Sequence, residues 1–189
     1  MYRVITVDGF AVPMGSHEGK KVIMGADHRG HKYWCALSGA LKGNGLAQEV
    51  EYVGTYSDER CDYPEISQKI ARRVAEHIRE FDAVGIGLCG SGIGMAIPAS
   101  KYPGIYVASC ITPEQAATSR RHNNTNFLGI GTDMVDEGTA IRIAVAWMST
   151  PFCEDPERDA AYLNRYLQTL KAEEEAHDLG RRLLGRLRA

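Results

Sequence analysis

The stretch FDAVGIGLCGSGIG, residues 81–94, decides the fold of this chain. Its first part is a short apolar run that predicts a buried strand ending just before Cys89. Three alternating glycines follow Cys89, and Met95 opens a segment with helical character. A strand that passes through a glycine turn into a helix is typical of α/β proteins with a parallel sheet.

Cys89 has both a structural and a chemical interpretation. A lone cysteine is most often structural, since free cysteines are among the most buried residue types. Here, however, the start of a helix favours an anion such as a thiolate. The glycines also leave backbone N–H groups uncovered for a second anion. A thiolate beside such an anion hole is suited to removing a proton next to a carbonyl group, and we therefore predict a catalytic role.

The rest of the chain alternates strands with helices around this stretch. Short apolar or alternating runs predict four more strands, at residues 21–25, 48–53, 105–110 and 127–131. Helical periodicity and end signals predict helices at residues 32–41, 64–78, 113–121 and 137–148. The fold class is therefore α/β, with a five-stranded parallel sheet covered by helices on both faces. Ligands of such sheets bind beyond the carboxyl ends of the strands.

The two ends of the chain depart from this pattern. Residues 1–21 are predicted to be an N-terminal extension with a turn-rich stretch at residues 9–19. Residues 22–150 form the αβα domain, and residues 151–189 form a C-terminal helical tail. The tail carries an apolar stripe made of Leu163, Leu167, Leu170, Leu179, Leu183 and Leu187. We predict that this stripe packs on a partner subunit in a homodimer; packing on its own domain is the alternative.

The composition argues against several classes of function. The net charge of −2 over 189 residues argues against nucleic acid as a main partner. The five cysteines are an odd number without zinc-binding spacing, so we expect free thiols. We also expect no signal peptide and no membrane span, which predicts a cytoplasmic protein.

Two motifs suggest ligands that their surroundings do not support. Residues 85–90 match GxGxxG, but the first glycine lies inside a strand, so we predict no dinucleotide site. Asp27, His28 and His31 are possible metal ligands, yet no further ligands cluster near them in sequence, and we predict no metal. The remaining histidines outside the candidate site are predicted at the surface: His17, His77 and His177.

Polar residues next to the predicted strands complete a catalytic constellation. Asp27 and His28 follow the first strand of the sheet, and His122 and Asn123 come just before the last. An Asp-His pair or a His-Asn loop alone is usually structural. Together with Cys89, they are expected to place an acid, a base and hydrogen-bonding groups on one edge of the sheet.

Four motifs occur in an order that resembles a known family. They are GADHRG at 25–30, DYP at 62–64, CGSGIG at 89–94 and SRRHN at 119–123. The resemblance is to ribose-5-phosphate isomerase type B and its galactose-6-phosphate isomerase relatives, and it covers most of the chain. It implies a Rossmann-like αβα sandwich, a homodimer or dimer of dimers, and a sugar or sugar-phosphate substrate. It also implies that no metal or organic cofactor is needed.

The resemblance implies an aldose–ketose isomerisation, in which a proton moves between C1 and C2 through an enediolate. Cys89 would be the base, and His122 would open the sugar ring by protonating the ring oxygen. Asp27 would hold hydroxyl groups or assist that proton transfer. The Ser91 hydroxyl, with the N–H groups of the glycine turn, would stabilise the enediolate oxygen. The implied substrate-binding residues are His28, Tyr63, Gly90, Gly92, Gly94, Asn123 and Arg158.

Two positions depart from the family pattern, and both concern phosphate binding. The family usually carries an arginine eleven residues after the histidine, where this chain has Asp133. Of two tail arginines spaced four apart, Arg158 matches the first and Tyr162 stands at the second, with Arg165 available to compensate. Ribose 5-phosphate and ribulose 5-phosphate are the default pair. Because aspartate repels phosphate, an isomerase of a different or unphosphorylated sugar is one alternative. A non-catalytic sugar-binding subunit is the other.

Overall fold

The computed structural model describes the backbone of residues 3–187 and the side chains of residues 3–180. Its strands are β1 (Arg3–Val7), β2 (Phe10–Met14), β3 (Lys20–Ala26), β4 (Ala47–Tyr52), β5 (Ala83–Cys89), β6 (Val107–Cys110) and β7 (Phe127–Gly131). Its helices are α1 (Trp34–Gly43), α2 (Tyr63–Glu76), α3 (Ile93–Ala99), α4 (Pro113–Asn123), α5 (Glu137–Ser149) and α6 (Ala160–Leu187). Among the described residues, no helix combines the length and the apolar character that crossing a membrane requires.

The central sheet has the strand order β4-β3-β5-β7-β6, and its strand pairs are parallel. Val22 and Met24 of β3 belong to the core on the side of α1 and α5, whereas Ile23 belongs to the core on the side of α2 and α3. The predicted Rossmann-like αβα sandwich, with five parallel strands and a C-terminal helix, is therefore confirmed. Because β5 is the middle strand, Cys89 lies at the centre of the carboxyl edge of the sheet.

The two ends of the chain pack against each other outside the central sheet. β1 and β2 form an antiparallel hairpin, so the prediction that residues 9–19 are turn-rich is wrong for the part that forms β2. Gly15 exchanges two backbone hydrogen bonds with Phe152, at 2.8 and 3.0 Å. A third apolar cluster joins β2 to the start of α6: Val12, Met14, Phe152, Cys153, Leu163, Tyr166 and Leu167.

The apolar stripe of the tail is divided between two environments. Leu163 and Leu167 pack against the hairpin of the same chain and are buried there. For these two residues, packing within the chain takes the place of the predicted contact with a partner. Leu179, further along α6, is 54% exposed. Leu183 and Leu187 lie outside the residues whose side chains are described. A partner contact therefore stays a prediction for the second half of α6.

His17 is buried, and the prediction of a surface position is wrong. It is 3% exposed, and its Nε2 lies 2.9 Å from the carbonyl oxygen of Thr125. Its ring meets that of Trp147 edge-on, with 4.6 Å between the ring centroids. His17 belongs to the loop between β2 and β3, where no periodic pattern in the sequence indicates burial.

Candidate active site

Cys89 is the last residue of β5 and lies at the turn into α3, where it is 3% exposed. The backbone N–H of Gly92 donates to its Sγ at 3.2 Å. Gly92 adopts a φ of +76°, a left-handed conformation that favours glycine, and a Cβ there would lie 2.8 Å from the Oγ of Ser109. The turn thus aims a backbone N–H group at the sulfur.

The turn after Cys89 is held in place by the end of β7. The N–H of Thr132 donates to the carbonyl oxygen of Cys89 at 2.9 Å, and that of Asp133 donates to Gly90 at 3.0 Å. The Oγ of Ser91 accepts the N–H of Ile93 at 3.3 Å. These bonds anchor both sides of the turn, so its backbone N–H groups are preorganised before a substrate arrives.

Asp27 is buried directly after β3 and beside the Cys89 strand. Its backbone N–H donates to the carbonyl oxygen of Leu88 at 3.1 Å. Its Oδ1 accepts the backbone N–H groups of Arg29 at 2.8 Å and Gly30 at 3.2 Å, which shapes the loop after β3. The structure therefore brings the predicted acid next to the predicted base, with one carboxylate oxygen engaged in the loop.

Two of the predicted substrate-binding residues lie at the same edge of the sheet, one on a loop and one at the start of α2. The Nδ1 of His28 lies 3.1 Å from the carbonyl oxygen of Cys61, which joins the loop after β3 to the loop before α2. Tyr63 begins α2 and is 40% exposed. Its ring covers Gly94, where a Cβ would lie 3.1 Å from the ring. Tyr63 therefore lies over the glycine turn, as a pocket-lining residue should.

His122 and Asn123 lie at the opposite edge of the sheet, so the expectation of one shared edge is wrong. α4 starts after the carboxyl end of β6 and returns beside the sheet, so its last residues reach the amino end of β7. There His122 stacks on Tyr162, with 4.4 Å between ring centroids and 14° between ring planes. A cavity of about 380 Å³ is lined by His122, Asn123 and Arg165, and the described residues that line it do not include Cys89.

The two tail arginines are in different surroundings. Arg158 forms two hydrogen bonds with Asp159, at 2.9 and 2.8 Å, and this carboxylate raises the pKa of Arg158. Its charge is therefore balanced within its own segment. The guanidinium of Arg165 lies 5.7 Å from the ring centroid of Tyr162 and lines the cavity beside His122. Arg165, rather than the predicted Arg158, brings a cation to this cavity.

An ion pair that the sequence reasoning missed lies beside the Cys89 turn. Arg29 bonds Asp133 at two points: Nη2 donates to Oδ2, and Nε donates to Oδ1 at 3.3 Å. The carboxylate raises the pKa of Arg29. A Cβ on Gly90 would lie 2.6 Å from the Oδ2 of Asp133 and 3.7 Å from the Nε of Arg29. The sequence signal for this pair was that Arg29 and Asp133 carry opposite charges and lie on loops that follow two strands ending at the same edge of the sheet.

Comparisons with known proteins find one family. A family model described as Ribose/Galactose Isomerase matches residues 22–165. Ribose-5-phosphate isomerase B from Escherichia coli (strain K12) is 38% identical over 133 residues, which cover 70% of this chain and 86% of that protein. The structure of ribose-5-phosphate isomerase B from Clostridium thermocellum has a TM-score of 0.72 at 32% identity, over 82% of this chain and 99% of that one. The Mycoplasma genitalium enzyme with bound ribulose-5-phosphate has a TM-score of 0.73 at 25% identity, over 84% and 99%.

Proposed function

Because the chain belongs to the ribose/galactose isomerase family, we propose that it interconverts ribose 5-phosphate and ribulose 5-phosphate. The predicted family and enzyme class, an aldose–ketose isomerase, are confirmed. The substrate pair is supported by the relatives: one is a ribose-5-phosphate isomerase B, and another has ribulose-5-phosphate bound. The observation that carries the mechanism is the N–H of Gly92 directed at the Sγ of Cys89.

Cys89 acts as the base in this proposal. Its thiolate removes the proton from C2 of the open-chain aldose, and the electron pair moves onto the carbonyl oxygen to form an enediolate. The O2 proton is then transferred to O1, and the thiol returns its proton to C1, which gives the ketose. The Ser91 hydroxyl and the N–H groups of the turn other than that of Gly92 stabilise the enediolate oxygen, and Asp27 holds a substrate hydroxyl.

The ring-opening acid comes from a second copy of the chain in this proposal. Within one chain, His122 lies at the sheet edge opposite Cys89, so one copy does not hold the full set. Near Cys89, Ile93 and Ile97 of α3 are 55% and 56% exposed, and Met134 after β7 is 60% exposed. A partner that covers these apolar side chains stabilises the assembly by removing them from water. A homodimer is the smallest assembly that completes the site, and a dimer of dimers contains it.

Two guanidinium groups take up the substrate phosphate in this proposal. Arg29 lies beside the Cys89 turn, and Arg165 lines the His122 cavity. Arg29 pairs with Asp133, so it would bind the phosphate by exchanging one of its bonds to this carboxylate for a phosphate oxygen. The second candidate function is an isomerase of a different or unphosphorylated sugar. Asp133 and Tyr162 favour it, because a carboxylate and an aromatic ring stand where phosphate-binding arginines are expected.

Hydrogen exchange in D₂O tests both the reaction and the base. The protein is incubated with ribose 5-phosphate or with ribose, and NMR follows deuterium entry at the carbon next to the carbonyl. We expect exchange with the phosphorylated sugar, and a loss of at least about 10³-fold in Cys89→Ala, since the base is removed. Exchange with ribose alone would favour the second candidate function instead.

A second cysteine provides a matched control for this experiment. Cys110 ends β6 at the same sheet edge and is 2% exposed, but burial raises the pKa of its thiol to about 11. It is therefore a thiol that is not available as a base near neutral pH. We expect the hydrogen-exchange rate of Cys110→Ala to equal that of the parent protein. If Cys89→Ala also kept its rate, the proposed base would be wrong.

A further inference from the structure

A second cavity, of about 190 Å³, lies at the amino edge of the sheet, away from Cys89. Its walls come from the hairpin, the end of α2, the start of β5 and the middle of α6. The hairpin residues and Leu170 lie outside residues 22–165, which match the family. The cavity is therefore closed in part by segments outside the portion of the chain that matches the family.

The size and the walls of this cavity suit a small organic molecule. Apolar and aromatic side chains form much of the wall, among them Val74, Ile78, Phe81, Tyr166 and Leu170. Phe81 and Leu170 are only half-buried, which brings the wall to the protein surface. An apolar cavity of about 150 Å³ is large enough to bind benzene. The volume here therefore leaves room for a single-ring molecule with one small substituent.

The wall contains one buried acceptor without a donor, on His17. This residue is 3% exposed, and its Nε2 lies 2.9 Å from the carbonyl oxygen of Thr125. Because a carbonyl oxygen can only accept, Nε2 is the nitrogen that carries a proton. Burial, followed by repulsion from Arg120 and Lys20, holds the pKa of His17 well below its usual value, so the ring is neutral and Nδ1 is an acceptor. Among the described residues, none forms a hydrogen bond with this Nδ1.

Three other acceptor side chains in the wall already have donors. Glu173 accepts a backbone N–H and a tyrosine hydroxyl, and the amide oxygens of Asn124 and Asn126 accept one hydrogen bond each, both at 2.8 Å. A buried acceptor without a donor is unfavourable, so a molecule that donates to it gains from the new bond. The Nδ1 of His17 is therefore the acceptor that a ligand would satisfy.

We propose that this cavity binds a small neutral aromatic molecule whose hydroxyl group donates to the Nδ1 of His17 and whose ring contacts Phe81 and Leu170. An apolar pocket with a few convergent polar groups is the usual form of a small-molecule site. Lys20 and Arg120 also line the cavity and donate to backbone carbonyl oxygens, and a neutral ligand makes no use of their charges. The site is separate from the isomerase site, so its existence does not depend on the proposed reaction.

Phenol is a suitable probe, because toluene has nearly the same shape without the hydroxyl donor. A wholly apolar cavity would favour toluene, since the phenol hydroxyl would lose its hydrogen bonds to water without replacement. Calorimetry on the full chain should instead show saturable phenol binding that is at least as tight as toluene binding. In ¹⁵N NMR, phenol should move the Nδ1 resonance of His17 upfield, and farther than toluene does, because this nitrogen then accepts a hydrogen bond. Absent phenol binding, tighter toluene binding or an unmoved His17 resonance would each overturn the proposal.

Two leucines of α6 provide matched variants that locate the binding. Leu170→Trp fills the cavity and should weaken phenol binding by about tenfold or more. Leu179→Trp introduces the same side chain at a position that is 54% exposed and outside the cavity wall, so its phenol binding should equal that of the parent protein. Unchanged binding in Leu170→Trp would overturn the proposal. If Leu170→Trp fails to fold, the His17 resonance in the parent protein decides alone.

Discussion

Subunit mixing tests whether the catalytic set is shared between two chains. Cys89 and His122 lie at opposite sheet edges of one chain. In the proposed two-fold dimer, each site would take Cys89 from one subunit and His122 from the other. Alone, Cys89→Ala should lose at least about 10³-fold in activity, and His122→Ala about 10²-fold or more. A mixed dimer of these two variants has one site with both defects and one site with none. Its activity should therefore be about half that of the parent dimer.

The reverse combination gives the opposite result. A mixed dimer of the parent chain with the double variant Cys89→Ala/His122→Ala places one defect in each site, so its activity should fall close to that of the single variants. If each site lay within one chain, this dimer would instead keep about half of the parent activity.

The assay uses co-expressed chains with two different affinity tags. Two successive purifications isolate the mixed dimers, and the initial rate of ribulose 5-phosphate formation is measured per dimer. A shared site would be refuted by two results together. The mixed dimer of the two single variants would be inactive, and the dimer of parent chain and double variant would keep half of the parent activity.

Three further predictions concern individual residues. Gly92→Ala should destabilise the fold by about 1–3 kcal/mol in chemical denaturation, because its positive φ and the nearby Oγ of Ser109 both oppose a Cβ; equal stability would refute the strain argument. Arg29→Met should lower kcat/KM for ribose 5-phosphate by about tenfold, mainly through KM, whereas an unchanged KM would exclude a phosphate contact. Lys20 has a pKa of about 7 when folded and an ordinary value of 10.5, so the unfolded chain binds more protons between these pH values. The free energy of unfolding should therefore rise with pH in that range by up to about 1.4 kcal/mol per unit, and Lys20→Met should flatten the rise.

The domain fold was predictable because its elements carry strong local signals. β5 is buried along its whole length, and its unbroken apolar pattern stands next to the turn at Cys89. The hairpin was missed at β2 because turn residues surround this short strand on both sides, and its apolar side chains face α6 rather than the central sheet. Its burial thus depends on residues at the far end of the chain, which local patterns do not report.

The candidate site was predictable in its residue types but not in its geometry. Three residues come together because each stands at or next to the end of a strand or helix at the carboxyl edge of the sheet: Asp27, Cys89 and Tyr63. His122 was misplaced because a helix that connects two parallel strands must return to the amino edge, and His122 stands near the end of such a helix, α4. Arg29 was missed because its partner is far away in sequence.

The contact between Gly15 and Phe152 has a consequence for the order of folding. A two-stranded hairpin is at best marginally stable alone, so β1 and β2 need the tail to hold them. During synthesis the hairpin emerges before the αβα domain, whereas its support in α6 emerges after that domain. The hairpin and α6 should therefore form one late cooperative unit, which opens before the sheet does in hydrogen exchange. The cavity of about 190 Å³ that is lined partly by the hairpin and partly by α6 would then be complete only after the αβα domain has folded.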